Sequence, residues 1–211
     1  LKNMLSINLD IFFRSIMLQA ISVSFLLYGG KFGDVKLAAN QILLQFLHVA
    51  AHGLDGFAFA AETLVGQAFG RKDRTILRKS VKVTSKLAFL LCCTMAIIFF
   101  FIGSSLIDVM TTAEDVRSEA KGYIIFIVLV PILGASAYML DGIFVGAMKT
   151  KDMRNMMFIS MIFYFIALIL LVPHFENIGL WLALLISFVV RGVTLASVSY
   201  THLTLPTKCS V

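Results

Sequence analysis

The chain has 211 residues, 59% of them hydrophobic and 14% charged, with a net charge of +6. Soluble domains are roughly 45–50% apolar and about 25% charged, and disorder needs low hydrophobicity, so both classes are excluded. What remains is an all-α membrane protein lodged in a lipid bilayer. In such a protein a basic excess reports topology, and no nucleic-acid partner is expected. Cys92, Cys93 and Cys209 make no disulfide framework, and the adjacent pair reads as packed or lipid-facing thiols. The chain opens on Leu1 without a signal-peptide pattern, which reads as a fragment.

A span needs about 20 apolar residues. Six are predicted, at about 10–29, 36–70, 84–103, 122–148, 154–172 and 178–200. Breaks are expected at Gly29-Gly30, Gly70-Arg71, Gly103-Ser104, the Lys149–Asp152 cluster and Pro173. The second segment is longer than a bilayer core, so one helix kinked near Gly53 and Gly56, or projecting from the membrane, is expected there.

Loop charge supports this count. The loop after the second span carries Arg71, Lys72, Arg74, Arg78, Lys79, Lys82 and Lys86, and the one after the fourth carries Lys149, Lys151 and Arg154. The loop after the third is acidic on balance, with Asp108, Glu114, Asp115 and Glu119 against Arg117 and Lys121. Basic loops stay cytoplasmic, so both chain ends are expected there. The segment 199–211 is polar and unrelated to the rest; it reads as a non-native read-through tail, which leaves His202 and Cys209 without meaning.

Ionisable groups inside a bilayer cost about 2.5–3.5 kcal/mol each and need a reason. On the second span Gln41, Gln45, His48, His52, Asp55 and Glu62 share one helix face. Such a stripe faces either a water-filled ion path or a neighbouring helix through hydrogen bonds. His52 and Asp55, three residues apart, are candidates to share a proton. His48 and His52 lack the third ligand and the Glu of a zinc site, so neither a metal nor a cofactor is expected. On the fourth span Tyr138 and Asp141 share a face, and Asp141 has two candidate ion-pair partners, Arg14 and Arg191. The stretches 54–61 and 140–147 echo each other in Leu, Asp, Gly and a final Ala.

ANQILL (39–44), GLDGFAFAAETLVGQAFG (53–70) and YMLDGIFVGAMKTKDMRN (138–155) together resemble the MATE (multidrug and toxic compound extrusion) family, in its DinF-like branch. The resemblance covers about residues 8–198. It implies one six-helix lobe, the C-terminal one, of a twelve-helix transporter whose N-terminal lobe is absent from this chain. It further implies a secondary antiporter in a bacterial plasma membrane, exporting organic cations or other amphipathic compounds in exchange for protons or, as second choice, sodium. The sodium-coupled branch places an acidic residue on its seventh helix, where this chain has Leu18 and Gln19. Asp55, Glu62 and Asp141 are carried over as cavity or interface carboxylates. An enzyme is not expected: Gly134-Ala135-Ser136-Ala137 lacks the second glycine of an intramembrane serine protease, and no later span holds a histidine. A self-pairing six-span channel or transporter subunit is the alternative.

Overall fold

The computed structural model describes residues 2–71 and 73–199, so the tail from residue 200 lies outside it. Six helices follow in order: α1 (Lys2–Gly30), α2 (Asp34–Gly70), α3 (Arg74–Met110), α4 (Glu114–Gly122), α5 (Ile124–Gly146) and α6 (Thr150–Ser199). Five of them are long and apolar enough to cross a membrane. The fifth of these, α6, holds 50 residues and is broken at Glu176, whose φ is 48°. The Ser160 hydroxyl donates to the Ser187 carbonyl at 2.7 Å. Those residues would stand about 40 Å apart in a straight helix, so α6 doubles back into two arms. The lobe therefore makes six crossings.

The turn at Glu176 is held by tertiary contacts. Asn40 Nδ2 donates to Asn177 Oδ1 at 2.7 Å, and Asn177 Nδ2 donates back to Asn40 Oδ1 at 3.1 Å. Trp181 Nε1 adds a third bond to Asn40 Oδ1 at 3.0 Å, and all three residues are fully buried. Lys36 Nζ pairs with Glu176 at 2.9 Å. Pro173 was the expected break, but a proline obstructs only the turn before it, and the chain stays helical for two residues more.

These contacts also fix the alternation. The start of α2 meets the α6 turn, while the start of α1 meets the start of α6 through Asp10 and Thr150. The acidic segment around α4 and the basic segments at 71–86 and 149–154 accordingly lie at opposite ends of the lobe. The basic segment at 71–86 is not the expected loop. From Arg74 it is helical, and Asp73 caps it by accepting from the amides of Thr75 and Ile76 at 2.9 and 3.0 Å. The predicted break at Gly103 is absent as well. A Cβ there would lie 2.8 Å from Ile124 Cδ1, so this glycine admits a neighbouring helix and α3 continues to Met110. The span expected at 122–148 starts after Tyr123, because α4 is a separate helix of nine residues. At α2, the expectation of one long helix holds for Asp34–Gly70. Its 37 residues measure about 56 Å against a core of about 30 Å.

α5 occupies the centre, packed against α2, α3 and α6. Its approach to α2 depends on small residues. A Cβ at Gly142 would collide with the Ala58 carbonyl, and one at Gly146 with the Glu62 carbonyl. The two echoed sequence stretches are thus the two sides of one helix crossing, of the small-residue kind that membrane helices favour. After α5 the chain turns through Met148, whose φ is 56°. Lys149 N donates to Phe144 O at 2.8 Å and Met148 N to Val145 O at 3.0 Å, the pattern that usually places glycine at the left-handed position. Large apolar side chains such as Leu27, Phe101, Val109 and Ile169 stand on the outside, as lipid contact requires.

Two substitutions test this packing. Met148→Gly should raise the stability of the detergent-solubilised protein by about 1 kcal/mol, because it relieves a left-handed side-chain residue. Gly146→Val should lower it by about 1–3 kcal/mol or prevent folding, by forcing α5 off α2. Thermal unfolding monitored by tryptophan fluorescence reads both.

Candidate functional site

The α1 face that packs on α6 carries Asp10 and Arg14 one turn apart. Asp10 is 6% exposed and accepts from Arg154 Nη1 at 2.6 Å and from Thr150 Oγ1 at 3.1 Å. One turn deeper, Arg14 donates to Asp141 of α5. From the far side Arg191, on the second arm of α6, also meets Asp141 Oδ2. One carboxylate is therefore shared by two guanidinium groups, and all three groups are largely buried. The sequence offered Arg14 and Arg191 as alternative partners for Asp141, and the fold uses both. The span expected from about residue 10 put Arg14 near its end. α1 begins at Lys2 rather than near residue 10, yet Arg14 still lies one turn from Asp10, which meets Thr150 at the start of α6.

Arg191 is 2% exposed; its Nη2 is the atom that meets Asp141, while its Nε, Arg14 Nε and Asp141 Oδ1 lack a hydrogen-bond partner. The Arg191 guanidinium lies 5.7 Å from the centre of the Tyr138 ring, itself 6.1 Å from the Phe188 ring. Tyr138 and Asp141 thus meet Arg191 from one face of α5, the shared face that their spacing led one to expect.

The α2 stripe divides. Asp55 and Glu62 are half-buried, and they line one pocket with Arg14, Tyr138, Asp141 and Gly142. The small-residue crossing of α2 and α5 puts them there. Gln41, Gln45, His48 and His52 are exposed. The expected proton-sharing contact between His52 and Asp55 is not formed; His52 Nδ1 instead meets the backbone carbonyl of His48 at 2.6 Å. His48 also lines a second cavity, of about 160 Å³, together with Tyr138, Phe188 and Arg191. So the structure gathers Arg14, Asp55, Glu62, Tyr138 and Asp141 around one pocket and leaves most of the Gln/His face outward.

Two buried polar groupings escaped the sequence reading. Asp10 stood at a predicted span boundary, and Arg154 counted only as loop charge. The opposite charges of Asp10 and Arg14 at four-residue spacing were the available signal. The Asn40–Asn177–Trp181 network had no periodic signature, since its members lie 137 and 141 residues apart.

Comparison with known proteins follows the same outline. The MatE family model matches residues 11–170. This chain belongs to the MATE family. It is 31% identical over 201 residues to DNA damage-inducible protein F of Escherichia coli K12, covering 95% of this chain and 44% of that protein. A MOP superfamily transporter from Pyrococcus furiosus superposes with a TM-score of 0.85 at 14% identity, over 96% of this chain and 45% of that one. The Vibrio cholerae MATE transporter VcmN, in its bent form, does so with a TM-score of 0.79 at 16% identity, over 90% and 44%. The chain spans less than half the length of these relatives, as one six-helix lobe of a two-lobe MATE transporter does. MATE transporters are a non-enzymatic family of multi-pass membrane proteins.

The shared carboxylate sets an order of mutational costs. Asp141→Asn leaves two buried cations uncompensated and should destabilise by about 3–5 kcal/mol. Arg14→Gln leaves one balanced Arg191–Asp141 pair and should cost clearly less. Melting temperatures of both variants in the same detergent check the order; equal or reversed losses would contradict it.

Proposed function

We propose that this lobe works as half of a secondary antiporter that exports organic cations or other amphipathic compounds in exchange for protons. The observation that carries the reading is the pocket in which Asp55 and Glu62 adjoin the Arg14–Asp141–Arg191 cluster. Asp141 has two fixed counter-cations. Asp55 and Glu62 make no ion pair among the described residues, and a half-buried carboxylate of that kind can alternate between charged and protonated forms. When ionised they add negative charge to the pocket and favour a cationic substrate; protonation removes that attraction and shifts the balance between lobe orientations.

The same arrangement supports protons over sodium. A sodium ion prefers several oxygen ligands, and the most buried carboxylate of the pocket is already occupied by guanidinium groups. The position at which the sodium-coupled branch has an acidic residue holds Leu18 here. We assign the chain to the C-terminal lobe, with an N-terminal lobe as its partner. We place it in a bacterial plasma membrane, with the basic segments and both helix ends of that side in the cytoplasm. The relation to the Escherichia coli protein and the Lys/Arg bias support that placement.

In the whole transporter, both lobes included, Asp55→Asn and Glu62→Gln should each reduce proton-driven efflux of an organic cation such as ethidium by about tenfold or displace its pH dependence. Efflux from everted vesicles between pH 6 and 8 is the measurement. Wild-type behaviour in both variants would remove these carboxylates from coupling.

A further inference from the structure

We propose that the cavity inside this lobe that Arg191 helps to line binds a small aromatic carboxylate. The cavity measures about 160 Å³ and has largely apolar walls, among them Phe25, Leu44, Met157 and Phe188. An apolar cavity of about 150 Å³ holds a benzene ring. Its polar groups are Ser22, His48, Tyr138, Ser160, Ser187 and Arg191. The three serines spend their protons on the backbone carbonyls of Leu18, Ser187 and Leu184. Arg191, Tyr138 and His48 are left to meet a ligand.

Arg191 decides the sign of that ligand. It is 2% exposed; its Nη2 meets Asp141 and its Nε has no hydrogen-bond partner. Its carboxylate neighbour, Asp141, is shared with Arg14. The Asp55 and Glu62 carboxylates line the adjoining pocket with Arg14 and not this cavity. A buried guanidinium with an unmatched donor is costly, and a carboxylate matches its planar fork. The Tyr138 and Phe188 rings beside it offer a stacking surface for an aromatic body. This inference goes beyond the antiport reading: it concerns equilibrium binding and holds or fails without any coupled transport.

The test is equilibrium binding of radiolabelled benzoate to the protein in lipid nanodiscs, with empty nanodiscs as background. Saturable binding is expected, competed by unlabelled benzoate and not by benzylamine, the isosteric cation. Arg191→Lys keeps the charge and loses the fork, so affinity should fall at least tenfold. Ala51→Phe fills the cavity from its half-buried wall, leaves every charge in place and should abolish binding in protein that still elutes as a monodisperse peak. No saturable benzoate binding to folded wild-type protein would overturn the proposal. So would equal competition by benzylamine, or undiminished binding in Ala51→Phe.

Discussion

The lobe is organised around one carboxylate. Asp141 lies on the central helix, and two arginines reach it from α1 and from the second arm of α6. In a bilayer interior the alternative for each arginine is an uncompensated charge, at a cost of several kcal/mol even after local relaxation. Three elements far apart in sequence are therefore held to one depth and one register. The Asp10–Arg154–Thr150 contacts, one turn nearer the membrane surface on α1, repeat the constraint for the same pair of helices. Apolar packing alone would leave α1 and α6 free to slide, because lipid tails compete equally for Leu and Phe side chains.

A second constraint determines what stands next to Asp141. Gly142 and Gly146 let α5 touch the α2 backbone at Ala58 and Glu62. That contact sets the faces of both helices, so Asp55 and Glu62 open onto the pocket that Arg14 and Asp141 also line. At the other end of the membrane the reciprocal amide pair of Asn40 and Asn177, with Trp181, ties α2 to the α6 turn. The lobe is thus tied by polar contacts at both ends and by close backbone packing between them. This division is what membrane proteins require, since burial of apolar area does not separate helix–helix from helix–lipid contact.

The helix inventory was legible because each span is a long apolar run between charged segments, and the alternation of basic and acidic segments was enough to settle parity. Helix ends were less legible, for physical reasons. Lys and Arg are good helix formers, so the basic segment at 74–86 could extend α3 without any apolar signal. Gly103 and Pro173 look like punctuation, but one serves a neighbouring helix and the other is followed by continued helix up to Glu176. In the site, charge in an apolar run identified Arg14, Asp55, Glu62, Asp141 and Arg191. The pairing pattern was beyond the sequence, because periodicity gives the face of a residue and not the helix that face meets. His52 shows this: its spacing to Asp55 is suitable, yet its ring turns back to its own backbone.

The pocket joins two kinds of acidic group, and the difference follows from their neighbours. Asp141 is enclosed by cations that have no other carboxylate in contact. Protonating it would strand two buried positive charges, so it is suited to hold structure. Asp55 and Glu62 sit at the half-open rim, where water can reach them and where no arginine is committed to either. Under the proposed antiport, the fixed charges keep the helices in register while the carboxylates at the rim set the field that a substrate meets. The small-residue crossing of α2 and α5 brings the two together, and for that reason its glycines matter to the chemistry as much as to the packing.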